Sequence, residues 1–227
     1  MARKLLLLPI LVLLLTMPAS EQALAQPSPR IELPEPERTG TMSLERALDQ
    51  RRSVRRYSDE PLTLDEVSQL LWAAQGITRP GGYRTAPSAG ALYPLELYLT
   101  GGRVTDLPEG VYHYRPREHE LVRVGGADRR AELAAAALDQ SWVRRGAVVL
   151  AIAGVYERSA EKYGDRGIRY THIEVGHAAQ NIYLQAEALG LGTVMVGAFD
   201  DREVREVLDL PEREAPLALL PVGRARR

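Results

Sequence analysis

A chain of 227 residues, 45% of them hydrophobic, carries enough apolar side chains for one domain with a sizeable core. Its 29 basic residues nearly balance 30 acidic ones, and a net charge of −1 offers no polybasic surface for nucleic acid or membrane. There is no cysteine, which excludes disulfides, thiolate metal sites and a lipid-bearing cysteine. Stability therefore rests on an ordinary core, helped by an oligomer or a ligand.

The chain opens with Arg3 and Lys4, an apolar run from Leu5 to Leu15 broken only by Pro9, and Ala23-Leu24-Ala25 as a small-x-small cleavage signal. Residues 1–25 read as a secretory signal peptide, so the mature protein is expected to be exported, to the periplasm or outside the cell. The apolar run falls short of the roughly 20 residues that a bilayer span needs, so no stable span is expected after cleavage. An uncleaved anchor is the alternative. Residues 26–42, with Pro27, Pro29, Pro34 and Pro36, form an extended arm or linker.

From residue 43 to 227 helices and strands alternate. Ser43–Arg52 is predicted as a short helix with Leu44 and Leu48 at i, i+4. Thr63-Leu64-Asp65-Glu66 is a capping box opening a helix that Gly76 stops. Gly81 to Gly90 is a loop. Leu95–Thr100, Val111–Tyr114 and Leu121–Val124 alternate like strands. Ala127–Gln140 is an Ala-rich helix, and Ala147–Val155 is an apolar run suited to a strand buried on both faces. Arg169–Leu189 is a long helix closed by Gly190. Thr193–Val196 follows as a strand, Asp201–Leu208 as a helix and Leu217–Val222 as a last strand. The fold class is α+β: a mixed central sheet wrapped by helices.

Two stretches carry the chemistry. Arg51, Arg52, Arg55 and Arg56 place four guanidinium groups beside Ser53 within seven residues. Such forks match phosphate oxygens bidentately and stay charged at any working pH. Ala86-Pro87-Ser88-Ala89-Gly90 is a loop of small residues whose backbone a flat ligand can approach. Together they point to a phosphorylated, planar cofactor; a solvated arginine surface is the other reading of the first stretch alone.

Arg51-x-Ser53-x-Arg55-x-Tyr57 resembles the opening flavin motif of the nitroreductase superfamily, and Ala86–Gly90 its second flavin loop. The continuation through Leu92-Tyr93-Pro94-Leu95-Glu96 resembles the SagB/ThcOx branch, as does Arg169-Tyr170 followed by Glu174-x-Gly176-His177 and Gln180-Asn181. Val196-Gly197 and Leu220-Pro221-Val222-Gly223 complete a series running in order from Ser43 to Gly223.

The resemblance implies a nitroreductase-like sheet of the obligate-dimer type, a homodimer with FMN at each subunit interface. Arg51, Arg52, Ser53 and Arg55 would hold the phosphate, ribityl chain and pyrimidine edge. Pro87, Ser88 and Ala89 would line the ring, from the same subunit or its partner. Val196 and Gly197 would present backbone groups near flavin N5, and Arg224 or Arg226 would add charge at the phosphate. Ala91 stands where many relatives have Asn, and the C-terminus is shorter than in members with a basic tail. Lys162 and Tyr163 match a Lys–Tyr pair linked to catalysis in azoline dehydrogenases, and a surface lysine beside a packing tyrosine is the plainer reading. His172 and His177, five apart and about 140° around a helix, do not make a metal site. The function implied is an FMN-dependent oxidoreductase passing hydride between flavin N5 and a small organic substrate. NAD(P)H-dependent nitro or quinone reduction, or flavin binding without turnover, are the alternatives.

Overall fold

The computed structural model describes residues 29–226, and the expected signal peptide lies outside them. A seven-stranded sheet has the order β1 (Arg30–Glu32), β6 (Glu120–Gly125), β5 (Gly110–Arg115), β4 (Leu95–Gly101), β7 (Val148–Gly154), β9 (Ala215–Arg224), β8 (Leu191–Thr193). Every neighbouring pair of these strands is antiparallel. Among the described residues, parallel pairing survives only as the isolated bridges Ser53–Thr193 and Leu62–Val104, so the sheet is less mixed than the sequence suggested.

The inner strand β7, between β4 and β9, is buried at all seven positions, as its unbroken apolar run predicts. Alternate side chains divide two cores. Val148, Leu150 and Ile152 pack with Leu70, Leu71, Ala178 and Ile182 on one face. Val149, Ala151 and Ala153 pack with Leu133, Val143, Val204 and Leu208 on the other. The first face carries α2 (Leu64–Gln75) and the 23-residue α6 (Arg166–Ala188), and the second carries α3 (Arg130–Ala136), α4 (Ser141–Arg145) and α7 (Asp201–Leu208). The nitroreductase-like α+β architecture stands.

Local chemistry explains several boundaries. Thr63 Oγ1 accepts from Glu66 N at 3.2 Å, and Glu66 Oε2 accepts from Thr63 N at 2.9 Å, closing the expected capping box. The helix expected over Ala127–Gln140 is shortened to α3, which is followed by Leu138 and Asp139 at left-handed φ of 57° and 56°, and α4 is an additional helix beyond it. The expected strand Thr193–Val196 is displaced to Leu191–Thr193, leaving Val196 in a lone bridge with Leu219. Tyr156–Tyr163 forms an additional helix, α5. In α1 (Leu44–Gln50) it is Ala47 that is buried, while Leu44 and Leu48 are 58% and 52% exposed.

The arm also departs from expectation. Arg30–Glu32 joins the sheet beside β6, and Leu33 is buried. Ser68 Oγ donates to the Pro34 carbonyl, His119 Nε2 lies 2.7 Å from the same Oγ, and Tyr114 Oη lies 2.8 Å from His119 Nδ1. The Gln69 side chain exchanges hydrogen bonds with Glu37 N and O at 2.8 and 2.9 Å. A proline-rich segment cannot fill a central strand, but it can pair along an edge and be held by side chains.

Candidate functional site

The arginine run follows α1 and lies along β8. Val54 N donates to the Thr193 carbonyl at 2.9 Å, and Ser53 pairs with Thr193 in the parallel bridge. Gly192 permits this approach: a Cβ there would stand 2.6 Å from Val54 Cγ1. Tyr57, buried, anchors the far end through its hydroxyl, which donates to the Val54 carbonyl at 2.7 Å.

None of Arg51, Arg52 and Arg55 makes an ion pair among the described residues. The Arg51 guanidinium lies 5.2 Å from the Tyr183 ring and that of Arg55 5.5 Å from the Trp142 ring. Arg52 donates only to the carbonyls of Asp49 and Arg51. Tyr183 is the junction: its hydroxyl lies 3.3 Å from Ser53 Oγ and accepts from Met195 N at 2.7 Å. One helix side chain thus holds the arginine run against the 195–197 loop.

Within that loop the expected pair divides. Val196 commits both its N–H and its carbonyl to Leu219, at 2.8 and 2.9 Å. Gly197 is exposed, with open space where a Cβ would stand, so it is Gly197 that offers free backbone to a ligand. The two C-terminal arginines divide as well. Arg224 reaches Glu66 through Nη1 at 2.5 Å and Nη2 at 3.0 Å, and its Nε lies 3.2 Å from Glu60. Its charge is matched inside the fold. Arg226 is exposed, lies 4.0 Å from Asp59, and lines a cavity of about 490 Å³ with Arg46, Arg52, Asp49 and Glu187.

The second loop is fixed from α6. Glu174, buried, accepts from Ser88 Oγ at 3.0 Å and from Ala89 N at 2.9 Å, and Ser88 Oγ accepts from Tyr93 N at 2.8 Å. Burial holds the Glu174 carboxyl above the usual carboxylate range, against the downward pull of Ala89 N–H, Ser88, His177 and Arg84. Gly90, Ala91 and Tyr93 all take left-handed φ, at 63°, 54° and 50°. Two of these are non-glycine residues, a conformation that persists only when surroundings over-determine it. Pro87, Ser88 and Ala89 line a cavity of about 230 Å³ with Tyr170, Glu174 and His177.

Lys162 and Tyr163 sit in the last turn of α5, over this loop. A Cβ at Gly90 would stand 2.8 Å from Tyr163 Oη and 2.9 Å from Lys162 Nζ, so glycine is what lets the pair close on the backbone. Arg158, one turn earlier, clamps α5 by donating to the Tyr93 carbonyl at 3.1 Å and to Glu96 Oε1 at 2.5 Å. The other Glu96 oxygen lies 2.8 Å from His113 Nε2. Burial pushes the Glu96 carboxyl up, but the His113 hydrogen bond and the Arg158 charge outweigh it and leave it below its ordinary value of 4.5. A depressed carboxylate contributes stability that is full above that ordinary value and is lost as pH falls through the lowered one. Thermal melts from pH 7 downward should therefore show an acid-side loss below about pH 4.5 that is smaller in Glu96→Gln. Identical pH profiles for the two proteins would contradict it.

The structure thus joins Arg51, Ser53 and Gly197 at one place and Ser88, Ala89, Lys162 and Tyr163 at another. Tyr183 and Glu174, which hold the two, are nine residues apart on α6, about 13.5 Å along the axis and half a turn around it. Glu174 lies inside a motif quoted from the sequence, but its partners are 85 residues away. Tyr183 had no signal of its own.

Comparison with known proteins identifies the family. The nitroreductase family profile matches residues 48–224. A provisionally named nitroreductase of Methanocaldococcus jannaschii is 52% identical over 86% of this chain and 96% of its own length. The microcin B17-processing protein of Escherichia coli is 30% identical over 69% of this chain, which spans 60% of that protein. An FMN reductase [NAD(P)H] of Bacillus subtilis is 26% identical over 78% of this chain and 64% of its own. A crystal structure described as a nitroreductase of Ralstonia eutropha superposes with a TM-score of 0.77 at 32% identity, over 89% of this chain and 94% of that one. The chain belongs to the nitroreductase family, whose oxidoreductases include flavin reductases.

Proposed function

We propose that this protein is a homodimeric FMN-dependent oxidoreductase of the SagB/ThcOx type, acting on a small organic substrate outside the cytoplasm. The observation that carries the cofactor is the set of three guanidinium groups, Arg51, Arg52 and Arg55, with no ion pair among the described residues, together with the open Gly197 backbone. That donor set fits an anionic, phosphate-bearing ligand with a flat polar edge. Arg51, Arg52 and Ser53, with Arg226, would hold the phosphate, and Arg55 and Gly197 the ring edge. Bound there, FMN supplies reversible two-electron transfer with a substrate stacked on its ring.

The half-turn separation on α6 supports the dimer. On this reading a ligand resting on the arginine run takes Ser88 and Ala89 from a second copy rather than from around the helix of the same chain. Ile168 and Ile173, 47% and 50% exposed on α6, flank Gly176, which has open space at its Cβ position. This is a face suited to another helix.

Glu174 fixes Ser88 and Ala89, which would line the ring, and Lys162 or Tyr163 would hold or take a substrate proton beside Gly90. The likeness to the microcin-processing protein supports the SagB/ThcOx reading, and that to the FMN reductase supports NAD(P)H as an alternative reductant. Export, resting on residues 1–25, would remove the protein from cytoplasmic NAD(P)H and favour substrate oxidation, with oxygen or a quinone as the final acceptor.

The mature protein should be yellow, elute as a dimer by light scattering, bleach slowly with NADPH under anaerobic conditions and recover its colour in air. Colourless protein with no affinity for FMN overturns the cofactor. Fast NADPH turnover overturns the oxidase direction and leaves the reductase.

A further inference from the structure

On the far side of the second loop, a hairpin joins β2 (Ile77–Arg79) to β3 (Tyr83–Arg84) through Gly81 and Gly82. With the turn that carries Arg117 it encloses about 180 Å³. That is below the roughly 300–1,000 Å³ of pockets that hold whole cofactors or drug-sized ligands, so it suits a single functional group.

The walls are cationic. The Arg84 guanidinium stacks on the Tyr93 ring at 4.7 Å, and its Nη1 donates to Gln75 Oε1 at 2.8 Å. Its Nε is buried and has no hydrogen-bond partner. Neither Arg84 nor Arg117 makes an ion pair among the described residues. Glu96, the carboxylate whose charge most supports Arg84, already has one oxygen on Arg158 and the other on His113. Tyr93 Oη accepts from Arg84 N at 3.2 Å and keeps its own proton to donate.

The glycines make the space. At φ +91° and +85° they occupy backbone conformations that other residues rarely adopt, and the Arg117 guanidinium lies 3.5 Å from the Cβ position of Gly82. A buried N–H without an acceptor is costly. A small anion in the space that Arg84 and Arg117 both line would offer that N–H an acceptor and Arg117 a counter-charge.

We propose that Arg84, Arg117, Tyr93 and the Gly81-Gly82 turn form a subsite for a small oxyanion, the carboxylate or phosphate group of a substrate. Ala91 lines this space and is bonded to Gly90, over which Lys162 and Tyr163 close. An anionic substituent seated here leaves the rest of its molecule beside that pair. This anchoring role rests on the proposed oxidoreductase reading; the anion binding itself does not.

The test is amide NMR of the full chain titrated with sodium acetate, inorganic phosphate or neutral acetamide at constant ionic strength. Saturable shifts at Gly81 and Gly82 are expected with acetate or phosphate, and none with acetamide. The tighter of the two anions identifies the group. Arg117→Gln, at an exposed position, should weaken the interaction about tenfold or more, the worth of a charge-assisted hydrogen bond. Shifts absent with both anions, equal with acetamide or unchanged in Arg117→Gln overturn the proposal. Phosphate bound at the arginine run is read separately, at Gly197. A protein that fails to take up FMN but keeps the Gly81 and Gly82 shifts overturns the flavin reading and leaves this subsite standing.

Discussion

Replacing Arg51 and Ser53 together by alanine should reduce FMN affinity by at least about 100-fold. On the proposed reading each removes a hydrogen bond to an ionised phosphate, worth about 1.5–3 kcal/mol, and about 1.4 kcal/mol is a factor of ten. The two losses will not simply add, because both residues meet at Tyr183. The structure predicts modest cost to the fold, since Arg51 is half-exposed and Ser53 exposed. Flavin absorbance after gel filtration and a fluorescence titration of the stripped protein measure the effect. Undiminished occupancy in a folded double variant would show the run to be solvated surface.

The second large effect separates the two C-terminal arginines. Arg224→Ala should lower the melting temperature of the flavin-free protein by about 5–15 °C. It strands Glu66, whose carboxylate also closes the capping box, and removing one partner of a buried pair costs about 3–5 kcal/mol, less here because the pair is partly exposed. Arg226→Ala should leave that temperature nearly unchanged and weaken FMN binding by about tenfold. The opposite pattern, with Arg224 governing affinity and Arg226 stability, would return Arg224 to the phosphate.

This division shows where sequence stops being legible. The capping box of α2 and the buried run of β7 were readable because neighbours in the chain decide them. The break between α3 and α4 was not. Residues 127–140 read as one helix, yet α3 ends at Ala136 and Leu138 and Asp139 take left-handed φ before α4 starts at Ser141. Helix α5 opens at Val155 without a side-chain cap, so nothing announces it. At the site, residue types that suit a phosphate were visible, but which of them are already engaged was not. Arg224 and Arg226 look equivalent until Glu60 and Glu66 arrive from more than 150 residues away. Glu174 and Tyr183 act through partners that no spacing along one helix reveals.

The seating of the arginine run on β8 has a consequence for solubility. A sheet ends in exposed strand edges, and an unpaired edge is a template for another chain. At one end β1 carries the exposed charged side chains of Arg30 and Glu32, which disfavour pairing with another chain. At the other, β8 is covered by Ser53 and Val54, the segment assigned to the cofactor. Loosening that segment bares backbone that can pair with a neighbouring molecule. Protein made faster than its flavin supply would then be lost to aggregates while its core remained intact, and riboflavin in the growth medium would raise soluble yield without changing a single residue.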